Sequence, residues 1–541
     1  MRGGLHVGAA SAAKGARARV MIFALALSIL SLAAQAQTPP HDTFTLSTTA
    51  PAETRHINVY KPPGYDGASD RYPVLYMPDG GLEEDFPHVA KALDEGIRAG
   101  EIAPLILVGI ENTERRRDMT GPTTVASDKA IAPRVGGSAV FRGFIAKQLI
   151  PEIGRRYRVN GHRGIIGESL AGLFLVESFL REPDLFDTVI AISPSLWWND
   201  GALLREAPAL LARQPRGKPG GLRCHLRRCT LRKDPRRYLF LTSADEDNIA
   251  PNVAALAATL KSEAPAALDW IYVPRPEEHH DTIYLASEKF ALRRAFPPSK
   301  PATAAQDNQR RVLFIGNSLT YVNNLPSAFA SLAPEGVHFS VDMIARPGAA
   351  LEDYDHDPVV MRALATGGYT DVILQERGGN AMCAPGCEKR LAAFTRTDQS
   401  TVALARDARA SGARVYYLGT WQRASREVSE NEVRGERRIA ALAGIPLIEF
   451  SETRRRLVEM YPEAAWTHAD GEHPGYTMTA LMALRTWRAV MGEVSTRTPC
   501  VAGPLWYHAP DPEGLVRIDA TATPSTCLVD APMAAKLAAA P

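Results

Sequence analysis

The stretch Gly161-His-Arg-Gly-Ile-Ile-Gly-Glu-Ser-Leu-Ala-Gly172 constrains the first half of this chain more than any other. Ile165 and Ile166 end a short apolar run at Gly167, and from Leu170 the sequence Leu-Ala-Gly-Leu-Phe-Leu-Val-Glu-Ser-Phe-Leu has the apolar spacing of a helix packed on a sheet. Ser169 therefore falls at a strand-to-helix turn. Such a turn needs small residues two before and two after the serine, because a larger side chain there would collide with the tightly folded backbone. Gly167 and Ala171 meet that need. The geometry exposes the Ser169 hydroxyl to a base and leaves the Leu170 N–H free to bind an oxyanion. Taken alone, the motif also fits an ordinary small-Ser-small helix cap.

At 541 residues the chain is too long for one ordinary domain, and two full-sized cores are expected. A formal net charge of +2 gives no reason to expect a nucleic-acid or membrane-surface partner. Arg2, Lys14, Arg17 and Arg19 precede an apolar run at 20–34 that ends in Ala34-Gln35-Ala36. This is a signal-peptide layout, so residues 1–36 are expected to be removed on export to a periplasm or medium, with no stable membrane insertion afterwards. Six cysteines fall as three close pairs, Cys224 with Cys229, Cys383 with Cys387 and Cys500 with Cys527, and export permits disulfides. A zinc site at Cys224, His225 and Cys229 is the rival reading for the first pair, although its spacing matches no standard ligand pattern.

Between 37 and 297, apolar runs alternate with helical segments, as a parallel sheet requires. Strands are expected at 54–60, which would be an edge, and at 73–77, 105–110, 187–192, 238–242 and 268–273. After the second of these, Gly80 and Gly81 let backbone approach a substrate and are candidates for a second oxyanion donor. Trp197 and Trp198 follow the run at 187–192 and can wall a cleft or fill a core. The run at 238–242 delivers Asp245 and Glu246, and the run at 268–273 delivers His279 and His280. Serine, acid and histidine thus occur in that order, each just past an apolar run.

The motifs Tyr-Met-Pro-Asp-Gly80, Gly-Glu-Ser169-Leu-Ala-Gly, Ile-Ser-Pro-Ser-Leu-Trp-Trp-Asn199 and Glu-Glu-His-His280-Asp-Thr-Ile-Tyr resemble the esterase family of α/β-hydrolases that contains esterase D, enterobactin esterases and feruloyl esterases. The resemblance covers essentially all of this domain. It implies Ser169 as nucleophile and His280 as base, with His279 its neighbour; Glu246 is the preferred acid and Asp245 the rival. The segment 215–237, rich in Arg and Cys, departs from the pattern.

Residues 298–308 have linker composition. A second set of apolar runs follows, at 312–315, 337–344, 371–375, 414–418 and 446–449. Gly316-Asn-Ser318, Gly348, Gly378-Gly-Asn380 and Asp470-Gly-Glu-His473 together resemble the four blocks of the SGNH (GDSL-like) hydrolase family over about 309–492. The resemblance implies Ser318 as nucleophile, His473 as base and Asp470 as its partner, with the Ser318 and Gly348 N–H groups and the Asn380 amide as oxyanion donors. Gln375 rivals Asn380, because Leu-Gln-Glu stands there. Residues 493–541 are expected to form a tail.

The expectation is an α/β fold class, an α/β-hydrolase domain followed by a flavodoxin-like three-layer α/β/α SGNH hydrolase domain. Both halves would be serine carboxylic-ester hydrolases using no cofactor and no metal, acting on a small-molecule or glycan ester such as a siderophore. The alternative is that one domain is a silent ligand-binding module. Nothing in the sequence bears on oligomeric state.

Overall fold

The computed structural model describes residues 38–49, 51–214, 222–225, 228–231, 237–265, 268–298, 309–334, 338–387, 396–421, 425–519 and 523–540. The expected signal peptide, most of the expected linker and most of the segment 215–237 lie outside the described residues.

The first sheet has eight strands. They are β1 (His41–Thr49), β2 (Ala52–Tyr60), β3 (Tyr72–Pro78), β4 (Ile106–Ile110), β5 (Val159–Glu168) and β6 (Thr188–Ile192), then, beyond a hairpin of β7 (Leu222–His225) and β8 (Arg228–Leu231), β9 (Arg237–Ser243) and β10 (Leu268–Pro274). Their order is β1-β2-β4-β3-β5-β6-β9-β10, with β2 antiparallel to both its neighbours, β1 and β4, and every other neighbouring pair parallel. This is the α/β-hydrolase arrangement expected for this half. The central strands are covered on both faces, which is why they read as unbroken apolar runs. One difference is that β2 is not the edge: β1 pairs with it along its whole length. Its Phe44 and Leu46 alternate with Thr and Ser, so only one face is apolar and the run is inconspicuous. The β7–β8 register sets Cys224 opposite Cys229.

The second sheet contains β11 (Gln309–Gly316), β12 (His338–Ala345), β13 (Asp371–Gln375), β14 (Arg414–Leu418), β15 (Leu447–Ile448) and β17 (Val516–Ile518), and its order is β15-β14-β13-β11-β12-β17. The five parallel strands, numbered along the sequence, stand 2-1-3-4-5, the flavodoxin-like doubly wound order. The strand order reverses between β11 and β13, so ligands are expected outside their carboxyl ends. Ser318 follows β11 there, and Glu376 follows β13. The expected tail supplies the edge strand β17, antiparallel to β12. A small pair, β16 (Cys500–Val501) with β18 (Thr526–Cys527), carries a Cys500–Cys527 disulfide, and Cys383 is bonded to Cys387.

The sheets share a core. A single apolar cluster runs from Tyr238, Phe290 and Ala291 of the first to Val360, Leu404 and Ala408 of the second. No helix among the described residues is long and apolar enough to cross a membrane.

Candidate active sites

Ser169 follows the last residue of β5 with φ 59° and ψ −117°, a backbone conformation rarely adopted by a residue with a side chain. Its N–H donates to the Ile192 carbonyl at 3.0 Å, and its own carbonyl accepts from the Leu173 and Ser195 N–H groups. These bonds hold the strained turn in place. The small residues are required by packing: a Cβ on Gly167 would lie 2.8 Å from the Ala171 Cβ, and one on Gly172 would lie 2.9 Å from Pro194 Cα. Leu170 opens the helix Leu170–Arg181, where an N–H has no intrahelical acceptor and is available to a developing anion.

The candidate acid and base arrive on neighbouring strands. β9 ends at Ser243 and delivers Glu246, whose Oε1 is 2.8 Å from Nδ1 of His280 and whose Oε2 accepts the Ala244 N–H at 2.9 Å. Asp245 makes the parallel contact, Oδ2 to His279 Nδ1 at 2.6 Å. The two pairs differ in enclosure. The Glu246 side chain is 9% exposed and that of Asp245 44% exposed, so Glu246–His280 is the better shielded pair. A carboxylate on Nδ1 leaves Nε2 to take a serine proton. In this structure the Ser169 hydroxyl lies 3.3 Å from the Ser195 hydroxyl and makes no hydrogen bond with His280.

The two glycines expected to donate to an oxyanion are otherwise engaged. The Gly80 N–H donates to Ile110 O at 3.0 Å, and the Gly81 N–H to Glu84 Oε2 at 2.7 Å. What Gly80 supplies is close approach, since a Cβ there would lie 2.3 Å from Gly109 Cα. The turn is pinned by Asp79, which takes a two-pronged contact from Arg115 at 2.7 and 2.8 Å.

Sequence reasoning passed over Glu168, the residue before the serine. Its side chain is largely buried, and Oε1 has no hydrogen-bond partner. Burial, then the charge of Asp85, push its carboxyl up to about 8 against the pull of Arg115. Spacing alone could not have flagged it, because the cause is burial in the fold, with the charges of Asp85 and Asp79 on one loop and Glu246 on another adding to it.

Beside the second sheet, Asn317 caps the short helix Ser318–Tyr321 by accepting the Leu319 N–H, and its own amide donates to Ala349 O at 2.8 Å. This ties the Ser318 turn to the Gly348 loop. Gly348 has φ 65° and open space where a Cβ would stand. Nδ1 of His473 is 2.7 Å from Asp470 Oδ2, and Asp470 Oδ1 accepts the Glu472 and His473 N–H groups. Tyr507, from the segment read as a tail, donates its hydroxyl to Asp470 Oδ2 at 2.6 Å. That bond is the leading reason the Asp470 carboxyl is held well below the usual range. No sequence signal pointed to Tyr507, because it lies 37 residues from Asp470.

Each rival oxyanion amide already donates one hydrogen bond. Asn380 Nδ2 donates to Glu376 Oε1 at 3.1 Å. Gln375 is buried, its oxygen accepting from Asn317 N at 3.1 Å and Thr320 Oγ1 at 2.8 Å and its nitrogen bonded to Glu376 O. Gln375 therefore shapes the Gly-Asn-Ser turn. Among the described residues no group of three or more His, Cys, Asp or Glu side chains could hold a metal ion; the side chains of the Cys224, His225 and Cys229 alternative lie outside the described residues.

Comparison with known proteins bears on the first half. Residues 48–246 match the family model described as "Putative esterase". That segment is esterase-like. The ferri-bacillibactin esterase BesA of Bacillus subtilis is 36% identical over 169 residues, which are 28% of this chain and 57% of BesA. The siderophore triacetylfusarinine C esterase of Aspergillus fumigatus is 37% identical over 102 residues, 18% of this chain and 33% of that protein. An IroE-like serine hydrolase from Shewanella oneidensis, solved by crystallography, is 25% identical over 48% of this chain and 80% of its own, with a TM-score of 0.41. The chain thus spans little more than half of BesA and a third of the fungal protein. The family match stops before His280 and before the whole second sheet.

Proposed function

We propose that this chain is an exported carboxylic-ester hydrolase that works through an acyl-enzyme on Ser169, with siderophore-like esters as the substrate class. The observation that carries this reading is the strained Ser169 turn inside an esterase-family segment, with a buried acid held on Nδ1 of a histidine in the following loops. In the reaction, His280 takes the Ser169 proton through Nε2 as Oγ attacks the ester carbonyl, and Glu246 steadies the imidazolium that forms. The Leu170 N–H stabilises the tetrahedral oxyanion, the alcohol leaves with the proton from His280, and water then repeats the sequence to release the acid. The relatives named for siderophore esters support that substrate class over a glycan.

For the second domain we infer a second serine esterase site, Ser318 with His473 and Asp470, of SGNH type. The flavodoxin-like strand order and the His473–Asp470 contact support it. A binding module is the alternative reading, favoured by one observation: the Asn380 and Gln375 amides each donate a hydrogen bond to Glu376. Turnover of a panel of short acyl esters and ferric hydroxamate and catecholate esters, by the full chain and its Ser169→Ala and Ser318→Ala variants, tests both proposals. A full chain silent on every ester would reject them together.

A further inference from the structure

β10 is the edge of the first sheet, and the second domain's helix Pro358–Thr366 packs against it. The contact is specific at three successive points along the chain. Asp269 receives Arg294 of its own domain at 3.1 Å and Arg406 of the second domain at 2.7 Å, and Arg294 reaches across to Asp407. Burial would raise the Asp269 carboxyl, but the two guanidiniums outweigh it and hold the group below the usual carboxylate range. Next, the Trp270 ring lies flat on His356 of the second domain, centroids 4.4 Å apart and planes 3° from parallel. The strand then runs into the loop bearing His280, where Glu277 pairs with Arg362 of the second domain at 3.0 Å.

From its own half the loop is held by backbone bonds, Arg275 N–H to Ser243 O at 2.8 Å and Glu278 N–H to Arg275 O at 3.0 Å, and by the two acid–histidine pairs, while Glu277 is the member that reaches outward. Glu277 and Glu278 take Arg275, and the Glu278 carbonyl accepts the Asp245 N–H at 3.1 Å, so the segment links directly to the acid-bearing turn. On the opposite side the partner surface is stiff. Asp357 caps the helix Pro358–Thr366 and pairs with Arg346 at 2.7 Å, and the Arg346 N–H donates at 2.8 Å to Tyr354, whose hydroxyl bonds Gly316 O. His356 takes φ 61°, a left-handed backbone that turns the chain between Tyr354 and the helix. One segment, 346–362, therefore touches the Ser318 turn at one end and the His280 loop at the other.

Resting on the reading of Ser169 and His280 as an ester-cleaving pair, we propose that His356 and Arg362 of the second domain are positioning residues for His280 of the first. An exposed ion pair such as Glu277–Arg362 fixes little by itself. It acts here at the end of a strand already clamped by the stack of His356 on the buried Trp270 ring and by a buried charge network, so it adds the last constraint on the loop. His280 must meet the serine hydroxyl within hydrogen-bonding reach, and a displacement of about 1 Å can cost orders of magnitude in turnover.

The test uses the full chain carrying Ser318→Ala, so that ester turnover reports the first site alone. Combining His356→Ala with Arg362→Glu should lower kcat about tenfold while KM stays within about threefold, the signature of misplaced catalytic groups rather than weakened binding. Arg362→Lys should remain near the parent, and pairing Arg362→Glu with Glu277→Arg should recover most of the loss due to Arg362→Glu. Amide hydrogen exchange across 275–282 should speed up in the double variant and slow again in the charge swap. Unchanged kcat with unchanged exchange would overturn the proposal, as would a loss that the swap fails to rescue and that accompanies faster exchange throughout the sheet. If the parent hydrolyses no ester but exchange in 275–282 still follows the contact, the esterase reading fails and the positioning contact stands.

Discussion

Glu246 and His280, 34 residues apart, meet at 2.8 Å beside a second and more exposed pair, Asp245 with His279. Adjacent residues on each loop thus form adjacent acid–histidine pairs, and enclosure distinguishes them. His280→Ala is expected to reduce first-site kcat by about three orders of magnitude or more, and His279→Ala by less than about threefold. Glu246→Gln should fall between these, with Asp245→Asn near wild type. Steady-state kinetics in a Ser318→Ala background checks the set; the reverse ranking would assign the base to His279.

The elbow leaves no room for one more methyl group. Gly167→Ala would bring a Cβ to 2.8 Å from that of Ala171. An overpacking cost of about 1–3 kcal/mol is expected in denaturant unfolding, together with slower modification of Ser169. Ala171→Gly should relieve the clash in the double variant. A double variant no more stable than Gly167→Ala alone would place the strain elsewhere.

Glu168 predicts a pH effect with a definite sign. Its folded carboxyl titrates near 8, above the unfolded value of 4.5, so the native state binds the extra proton. Its contribution to stability is fully present below the unfolded value and is lost as pH rises toward about 8. Glu168→Gln should therefore flatten the decline in stability between about pH 5 and 8, by about 1–2 kcal/mol after allowance for solvent reaching the site. Glu376 and Glu436 are also raised, to about 7 and about 8, so the comparison is the difference between wild type and variant unfolding. An unchanged slope would mean that Glu168 is ionised throughout.

Tyr507 brings the chain's last segment into the second site. Tyr507→Phe, in a Ser169→Ala background, keeps the ring against His473 and removes the hydroxyl bonded to Asp470. Second-site kcat is expected to drop about three- to tenfold, the range of one ordinary hydrogen bond lost at an exposed site. No change would leave the Asp470–His473 contact standing without it.

What the sequence made legible follows from what each element buries. The parallel strands lie between two helical layers and read as apolar runs, so β3, β4, β6, β9 to β14 and the Ser169 turn were all visible. β1 was not, because its outward residues are Thr and Ser and its inward side chains are only partly covered. Gly80 and Gly81 were recognised as special for their missing side chains, but which group occupies a backbone N–H depends on Glu84 and Ile110, and only the fold decides that. Glu168, Tyr507 and the Asp269–Arg406 contact escaped for the same reason. Each acquires meaning from charges or hydroxyls that are distant in sequence, and no local periodicity records such convergence.

The central claim is that Ser169 is an activated nucleophile. A fluorophosphonate probe applied to the folded full chain, followed by peptide mapping, tests it directly. Covalent label is expected on the peptide bearing Ser169, lost in Ser169→Ala and reduced by at least about tenfold in His280→Ala, with ester turnover by the first site lost in parallel. Label that persists on another residue in Ser169→Ala, with first-site turnover intact, would contradict it.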